Sequence, residues 1–179
     1  MPKKFLIIVA ALVLFTGCMS NDAPRANTDA ANANTESAKP AMTPSKSFTA
    51  DDIAKLKWIE GTWRGMDGDK PFFERYKLEG TTLVVDTLTD KTLSKVEDTG
   101  RFELKDGEFG QGEGDKRTVA SSITEDSIQF VPAVPGKANN FRFERQGDGT
   151  WNAVLEWPAT ADMPVRKKSY KMEPWPEKK

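Results

Sequence analysis

The feature that most constrains the fold of this chain is an alternation of apolar and polar residues that begins at residue 72 and recurs to residue 172. In residues 72–78 (FFERYKL), alternate positions share one face of a strand, and that face carries Phe72, Glu74, Tyr76 and Leu78. The same period of two recurs at residues 82–88, 102–104, 119–124, 127–131, 141–145, 151–157 and 165–172, and Gly- and Asp-containing turn signals separate many of these segments. Short alternating strands joined by close turns predict an all-β domain, either an antiparallel barrel or a sandwich of about eight to ten strands.

One short helix is predicted before these strands. Thr49 is followed by Asp51 and Asp52, a pattern typical of a helix N-cap with acidic residues in the first turn. The apolar edge of this helix comprises Ile53, Leu56 and Ile59. No second helix of consequence is predicted.

The N-terminus has the features of a signal peptide. Two lysines precede an apolar run over residues 5–15, which as a helix covers about 16 Å, roughly half of the hydrocarbon core of a bilayer. The sequence Phe15-Thr16-Gly17-Cys18 follows and resembles the lipobox of bacterial lipoproteins, although Phe15 replaces the usual Leu or Val. Because Cys18 is the only Cys, it cannot form an internal disulfide, and the alternative to lipidation is an incidental thiol. The resemblance implies acylation of Cys18 after removal of residues 1–17.

Acyl chains on Cys18 would tie the protein to a membrane, since each buried methylene contributes about 0.8 kcal/mol. Residues 18–47 comprise the lipidated Cys and a tether rich in Ala, Asn, Thr and Ser, which has too little apolar surface to be ordered. Residues 48–179 contain all five Trp and form one domain of ordinary size. Met19 occupies the position at which an Asp commonly retains lipoproteins in the inner membrane. We therefore expect the outer membrane, facing the periplasm, in a Gram-negative host.

The sequence also excludes several classes of function. Removal of residues 1–17 leaves 24 basic and 27 acidic residues, a net charge of −3, so nucleic acid is not an expected partner. The chain has no His, which excludes a Ser-His-Asp triad, a His-bearing zinc site and a proximal-His haem. No cofactor or metal is expected, because the acidic, Gly-containing turns at residues 67–69, 113–115 and 147–149 do not match an EF-hand. Hydrolysis by Glu74 paired with Glu144 or Glu156 stays open, without a catalytic signature to support it.

Residues 56–65 (LKWIEGTWRG) resemble the Gly-x-Trp opening of calycins, the lipocalins and fatty-acid-binding-like barrels. They are most similar to small bacterial lipocalin-like domains of unknown function, which continue with a Glu-x-aromatic strand, here residues 74–76, and a Gly-Thr-Leu turn, here residues 80–83. The resemblance implies a calycin barrel over most of residues 50–175. Its structural signature would comprise Gly61, Thr62 and Trp63, with Arg166 or Lys168 of the last strand covering the Trp ring. Activities of relatives that depend on a His do not carry over.

Glu74 is the most informative single residue for function. If its apolar neighbours at alternate positions point into the barrel, the period of two directs Glu74 inward as well. An inward carboxylate must be paired, solvated or neutralised, which often marks a ligand site. Two alternatives are an opposite orientation with Phe73 inside, and an inward Glu74 that only pairs with Arg142 or Arg64.

The leading functional prediction is a membrane-anchored barrel that binds a small, largely apolar ligand. The predicted ligand-binding residues are this carboxyl and the aromatic residues expected on the inner face: Glu74, Tyr76, Phe72, Phe141, Phe143, Trp151 and Trp157. The alternative is an envelope lipoprotein with a filled barrel. Such a protein would contact a protein partner through an exposed edge or through the Pro-containing loop at residues 132–140. An enzyme is less expected than either.

Overall fold

The structure, a computed structural model, describes residues 47–89, 91–159 and 164–176. The predicted signal peptide, Cys18 and nearly all of the tether lie outside these residues. The predicted short helix is confirmed as α1 (Ala50–Ala54), which continues into a 3₁₀ helix (Lys55–Ile59). Thr49 caps α1 in a capping box with Asp52, so each residue satisfies a backbone N–H of the other. No helix among the described residues is long and apolar enough to cross a membrane.

The prediction of an all-β fold is confirmed, and of its two forms the barrel is the observed one. The described residues form ten strands: β1 (Gly61–Asp67), β2 (Lys70–Glu79), β3 (Thr82–Leu88), β4 (Val96–Lys105), β5 (Glu108–Gln111), β6 (Thr118–Ile123), β7 (Ser127–Pro132), β8 (Asn140–Arg145), β9 (Trp151–Trp157) and β10 (Arg166–Pro174). Each strand pairs antiparallel with its neighbour in sequence, and β1 pairs with β10, which closes the sheet. Closure leaves no edge strand unpaired.

β5 is the strand that the alternation did not predict. It has only four residues, too few to establish a period of two, and its third residue is Gly110. A Cβ at Gly110 would lie 2.2 Å from the carbonyl oxygen of Thr118, so the neighbouring strand requires a glycine here. Because glycine is unfavourable in strands, the residue that allows β5 to pair closely with β6 also makes β5 difficult to predict from the sequence.

The two ends of the barrel differ, and one of them is closed by the helical segment. The hairpin turns β2–β3, β4–β5, β6–β7 and β8–β9 lie at this end, which we call the helix end. Phe48 N–H donates to the carbonyl of Gly107 at 2.8 Å, and Leu78 N–H donates to the Glu60 carboxylate at 3.0 Å. Ile53, Leu56 and Ile59 are fully buried and close this end of the barrel. The opposite end, which we call the open end, carries the connections β1–β2, β3–β4, β5–β6, β7–β8 and β9–β10.

Candidate functional site

Aromatic side chains fill the half of the barrel interior nearest to the helix end. The ring of Trp151 lies 5.0 Å from Phe143, 5.3 Å from Tyr76 and 5.8 Å from Trp63, in edge contacts. Tyr76, Phe143 and Trp151 are fully buried, so these three predicted ligand-binding residues form the packed floor of the interior. On the side of the barrel interior, these three residues are enclosed by their own neighbours.

A second aromatic layer continues from this floor toward the open end. The ring of Phe130 lies 4.7 Å from Phe102 and stacks on Phe141 at 4.6 Å. Phe102 and Phe130 are fully buried, whereas Phe141 is only half-buried. The packed interior therefore ends at Phe141, one of the predicted ligand-binding residues.

The other two predicted aromatic residues also lie at the open end. Phe72 and Trp157 are half-buried, although both share the inner face of their strands with buried residues. Phe72 packs on Gly65, and a Cβ added to this glycine would lie 2.1 Å from the Phe72 ring. The Phe72 and Tyr170 rings are in edge contact, with their centroids 5.4 Å apart. Phe72, Phe141 and Trp157 thus retain exposed apolar surface at the mouth of the barrel.

Glu74 faces inward, as the alternation predicted, and only 2% of its surface is exposed. Its Oε2 accepts a hydrogen bond of 2.7 Å from the Tyr76 hydroxyl, and Oε1 has no hydrogen-bond partner in the part of the chain that the structure describes. Burial raises the pKa of Glu74 to about 7, although the hydrogen bond from Tyr76 opposes this effect. Burial, and secondarily the adjacent carboxylate, raises the pKa of Tyr76 well above its ordinary value. Glu74 is therefore a desolvated carboxyl that titrates near neutral pH.

The cations proposed as partners of Glu74 lie on the other face of the sheet. Arg64 and Arg142 alternate with inward-facing residues and therefore point outward. Arg64 pairs with Glu173 at 2.7 Å, and Arg142 pairs with Glu144. The alternative in which either arginine neutralises Glu74 is therefore wrong. The opposite orientation of β2 is wrong too, because Phe73 lies outside, 5.3 Å from the ring of Trp175.

Polar residues continue from Glu74 along one wall of the interior. In the sheet register Glu74 is opposite Thr87, and Thr87 is opposite Asp98, so all three side chains share the inner face of β2, β3 and β4. Thr87 and Asp98 are half-buried. Further round this wall Thr118 is opposite Gln111, and the Thr118 hydroxyl is buried without a partner among the described residues. One wall of the open half is thus polar, while the aromatic residues line the rest.

The residues of the calycin-like signature lie at the helix end. Trp63 is 7% exposed, and its indole N–H donates to the carbonyl of Ile59 at 2.7 Å, which ties the 3₁₀ helix to the barrel. Gly61 has φ +132°, a conformation that favours glycine, where the chain turns from the 3₁₀ helix into β1. The carbonyl of Thr62 accepts from Trp175 N–H at 2.8 Å. All three positions serve closure of this end.

The expectation that Arg166 or Lys168 covers Trp63 is wrong. The Arg166 guanidinium lies 5.6 Å from the centre of the Trp157 ring, at the open end, because Arg166 begins β10 and Trp63 is opposite Pro174, where β10 ends. Lys168 pairs with Asp67 and lies 4.8 Å from the Tyr170 ring. Both cations therefore belong to the mouth of the barrel.

The acidic positions considered for metal binding or hydrolysis have other structural roles. The turn at residues 67–69 joins β1 to β2, and the turn at 147–149 joins β8 to β9, where Asp148 accepts from Thr150 N–H at 3.0 Å. Glu144 and Glu156 alternate with inward residues and lie on the outer face, so pairing of either with Glu74 is excluded. Across the described ranges, no group of three or more potential metal ligands converges.

A groove of about 370 Å³ lies at the helix end, away from the mouth. Its walls include four tryptophans: Trp58, Trp63, Trp151 and Trp175. The indole N–H groups of Trp63 and Trp175 donate to backbone carbonyls, whereas those of Trp58 and Trp151 are buried and have no acceptor in the described ranges. No sequence motif signalled this groove, because its residues come from segments distant in sequence.

A scan of protein-family models matched no family to this chain, and no curated protein matched it. Any function proposed for the protein therefore depends on the geometry of the barrel.

Proposed function

We propose that this chain is an envelope lipoprotein, anchored through acyl chains on Cys18, whose barrel binds one small, largely apolar ligand through its open end. The observation that carries the proposal is Glu74, a carboxyl that is only 2% exposed and has no ion-pair partner in the described part of the chain. The packed aromatic floor lies on one side of Glu74. On the other side are Phe72, Phe141 and Trp157, which face inward and are only half-buried. Convergence of apolar walls with a few polar groups of perturbed pKa is typical of a binding site.

The packed floor limits the size of the ligand. The packed interior ends at Phe141, which is opposite the buried Leu155. From Leu155 to Trp157, β9 advances two residues, which at about 3.4 Å each and a tilt near 40° gives a depth of about 5 Å. This depth accommodates one ring or an alkyl segment of about four carbons. A long lipid would therefore insert only part of its length, with the remainder outside the mouth.

The anchor follows from the sequence features of residues 1–18. If residues 18–47 behave as the tether that their composition predicts, their root-mean-square reach of about 30 Å would separate the barrel from the membrane headgroups. The position of Met19 favours the outer membrane. A binding barrel held at this distance could collect an apolar compound from the aqueous envelope space or from the adjacent leaflet.

The proposal is tested with the mature chain carrying Cys18→Ser, purified without detergent. Native mass spectrometry and solvent extraction identify a retained ligand, and titration with the neutral apolar probe N-phenyl-1-naphthylamine measures binding to the emptied protein. Trp157→Ala should weaken probe binding, because it removes an aromatic wall at the mouth. Val165→Ala is the matched control, since Val165 precedes β10 and is 57% exposed. A protein that retains nothing and does not bind the probe would exclude this function.

A second candidate function is supported by the tryptophan groove at the helix end. A groove of about 370 Å³ whose walls include four tryptophans suits an extended peptide with apolar side chains. In this alternative the lipoprotein contacts a protein partner through the groove or through the loop at residues 132–140. In-cell photocrosslinking from position 60, beside the groove, and from position 134, in the loop, compared with ligand recovery, discriminates the two functions.

A further inference from the structure

The two carboxyl groups of the inner wall lie in one row across neighbouring strands. Glu74, Thr87 and Asp98 are directly opposite one another in the register of β2, β3 and β4. Because neighbouring strands are about 4.8 Å apart, the Cα atoms of Glu74 and Asp98 are separated by about 10 Å. Both side chains extend from the same face, with the shorter Thr87 between them. One group placed above Thr87 can therefore be approached by both carboxyls.

The protein itself does not neutralise this row. Glu74 accepts one hydrogen bond, from the Tyr76 hydroxyl, and Asp98 accepts one from the Thr99 backbone N–H at 2.9 Å. Neither carboxyl takes part in an ion pair with any residue that the structure describes. Of the cations on the inner faces of β2 and β10, Lys168 pairs with Asp67 and Arg166 lies over the face of Trp157, while Lys70 is exposed at the start of β2, four residues from Glu74.

The unpaired oxygen of Glu74 is the observation that points to a ligand at this row. Glu74 is only 2% exposed, and its Oε1 has no hydrogen-bond partner among the described residues. A buried acceptor without a partner costs about 1–3 kcal/mol, so a bound group with an N–H donor would satisfy it. Thr118, whose buried hydroxyl also has no partner in the described ranges, is level with Phe102 and therefore four residues and two strands away from Asp98, outside this row.

Aromatic rings face the acidic row across the barrel. In the closed order of ten strands, β3 is five strands from β8, so Thr87 and Phe141 lie on opposite walls. Trp157 and Tyr170, on the two strands after β8, extend the aromatic wall toward the mouth. Aromatic faces attract cations, and carboxylates on the opposite side add a Coulombic attraction.

We propose that the ligand is a cationic amphiphile, in which an N–H-bearing ammonium group lies on the Glu74–Thr87–Asp98 row and an apolar body contacts Phe72, Phe141 and Trp157. This inference rests on the proposed ligand-binding function and names the chemical class of the ligand. A fatty acid of equal length would place a carboxylate against two carboxyls and is selected against. A neutral alcohol would fill the same apolar space without the charge.

The test compares three eight-carbon compounds, octylammonium, octanoate and 1-octanol, as competitors of N-phenyl-1-naphthylamine on the mature Cys18→Ser chain at pH 8. Glu74 is largely ionised at this pH. We expect octylammonium to displace the probe at a concentration at least about tenfold lower than either of the others. Asp98→Asn and Glu74→Gln should each reduce this preference, and Glu103→Gln, at an exposed position on the outer face of β4, should leave it unchanged. Asp98 is half-buried, so its variant keeps the test available if Glu74→Gln alters folding.

The outcomes separate the ligand class from the binding function itself. Equal displacement by 1-octanol or octanoate, or a preference that survives both carboxyl substitutions, would overturn the cationic class and leave the binding function intact. Binding of the probe without displacement by octylammonium would also overturn the class. Failure of the probe and of all three compounds to bind would remove the proposed function and this inference with it.

Discussion

The substitution Glu74→Gln tests directly whether this carboxyl is desolvated inside the barrel. Its pKa is about 7 in the folded protein, against an ordinary value of 4.5, and the largest cause is burial. Below pH 4.5 the carboxyl is protonated in both the folded and the unfolded chain, so its contribution to stability is fully present. As the pH rises from 4.5 to 7, the unfolded chain ionises first, and stability is lost until the folded carboxyl ionises as well. A difference of about 2.5 pKa units corresponds to roughly 3 kcal/mol.

Glutamine has nearly the same shape, does not titrate, and can still accept the hydrogen bond from the Tyr76 hydroxyl. Relative to the parent protein, Glu74→Gln should therefore gain about 3 kcal/mol between pH 4.5 and pH 8. Urea unfolding at pH 4.5, 6 and 8 measures this gain, with Glu97→Gln as the exposed control. Asp98 and all other titrating groups are common to the two proteins and cancel in the comparison. Parallel stability curves for the parent and Glu74→Gln would refute the desolvation of Glu74.

Three further predictions concern the closed end, the outer face and the anchor. Trp63→Ala should destabilise the domain by about 3–5 kcal/mol in urea unfolding, because it removes a buried plug and the bond to Ile59; a loss below about 1 kcal/mol would contradict that role. Trp175→Ala should cost about 1–3 kcal/mol, since its ring packs on Phe73 and its indole N–H donates to the carbonyl of Lys91; unchanged stability would mean that this side chain is dispensable. Cys18→Ser should abolish acylation and shift the protein from the membrane fraction to the soluble one or leave it as precursor; normal detergent partitioning after N-terminal processing would refute lipidation.

The period of two predicted the strand faces well, because each side chain's direction follows from the backbone alone. It placed Glu74 inward together with Tyr76, and the structure agrees. The same rule could have excluded Arg142 as a partner, since Arg142 lies between the inward-facing Phe141 and Phe143. Strand alternation therefore excludes a pairing that charge complementarity alone would suggest.

Features that depend on long-range pairing could not be predicted from local patterns. Closure of the barrel requires β1 to meet β10, with Trp63 opposite Pro174, and nothing near either residue signals the other. Trp175 illustrates the same limit, because its position after the last strand gives no indication that it packs on Phe73. The alternation also could not show which of the predicted aromatic residues lie in the packed interior and which lie at the open end. That division depends on how far side chains from the other strands fill the barrel.

The position of Glu74 is difficult to explain by stability alone. At neutral pH an apolar side chain of similar volume would avoid the desolvation that raises its pKa, and the aromatic floor beside it would accept such a side chain. The carboxyl is instead oriented by the Tyr76 hydroxyl, which holds one oxygen and leaves the other without a hydrogen-bond partner among the described residues. Fixing a costly group in this way is what a binding site requires, because a ligand that satisfies the free oxygen recovers the free energy that folding gave up. The same Tyr76 ring is part of the packed floor, so the packing of the core and the orientation of the candidate ligand-binding carboxyl depend on one side chain.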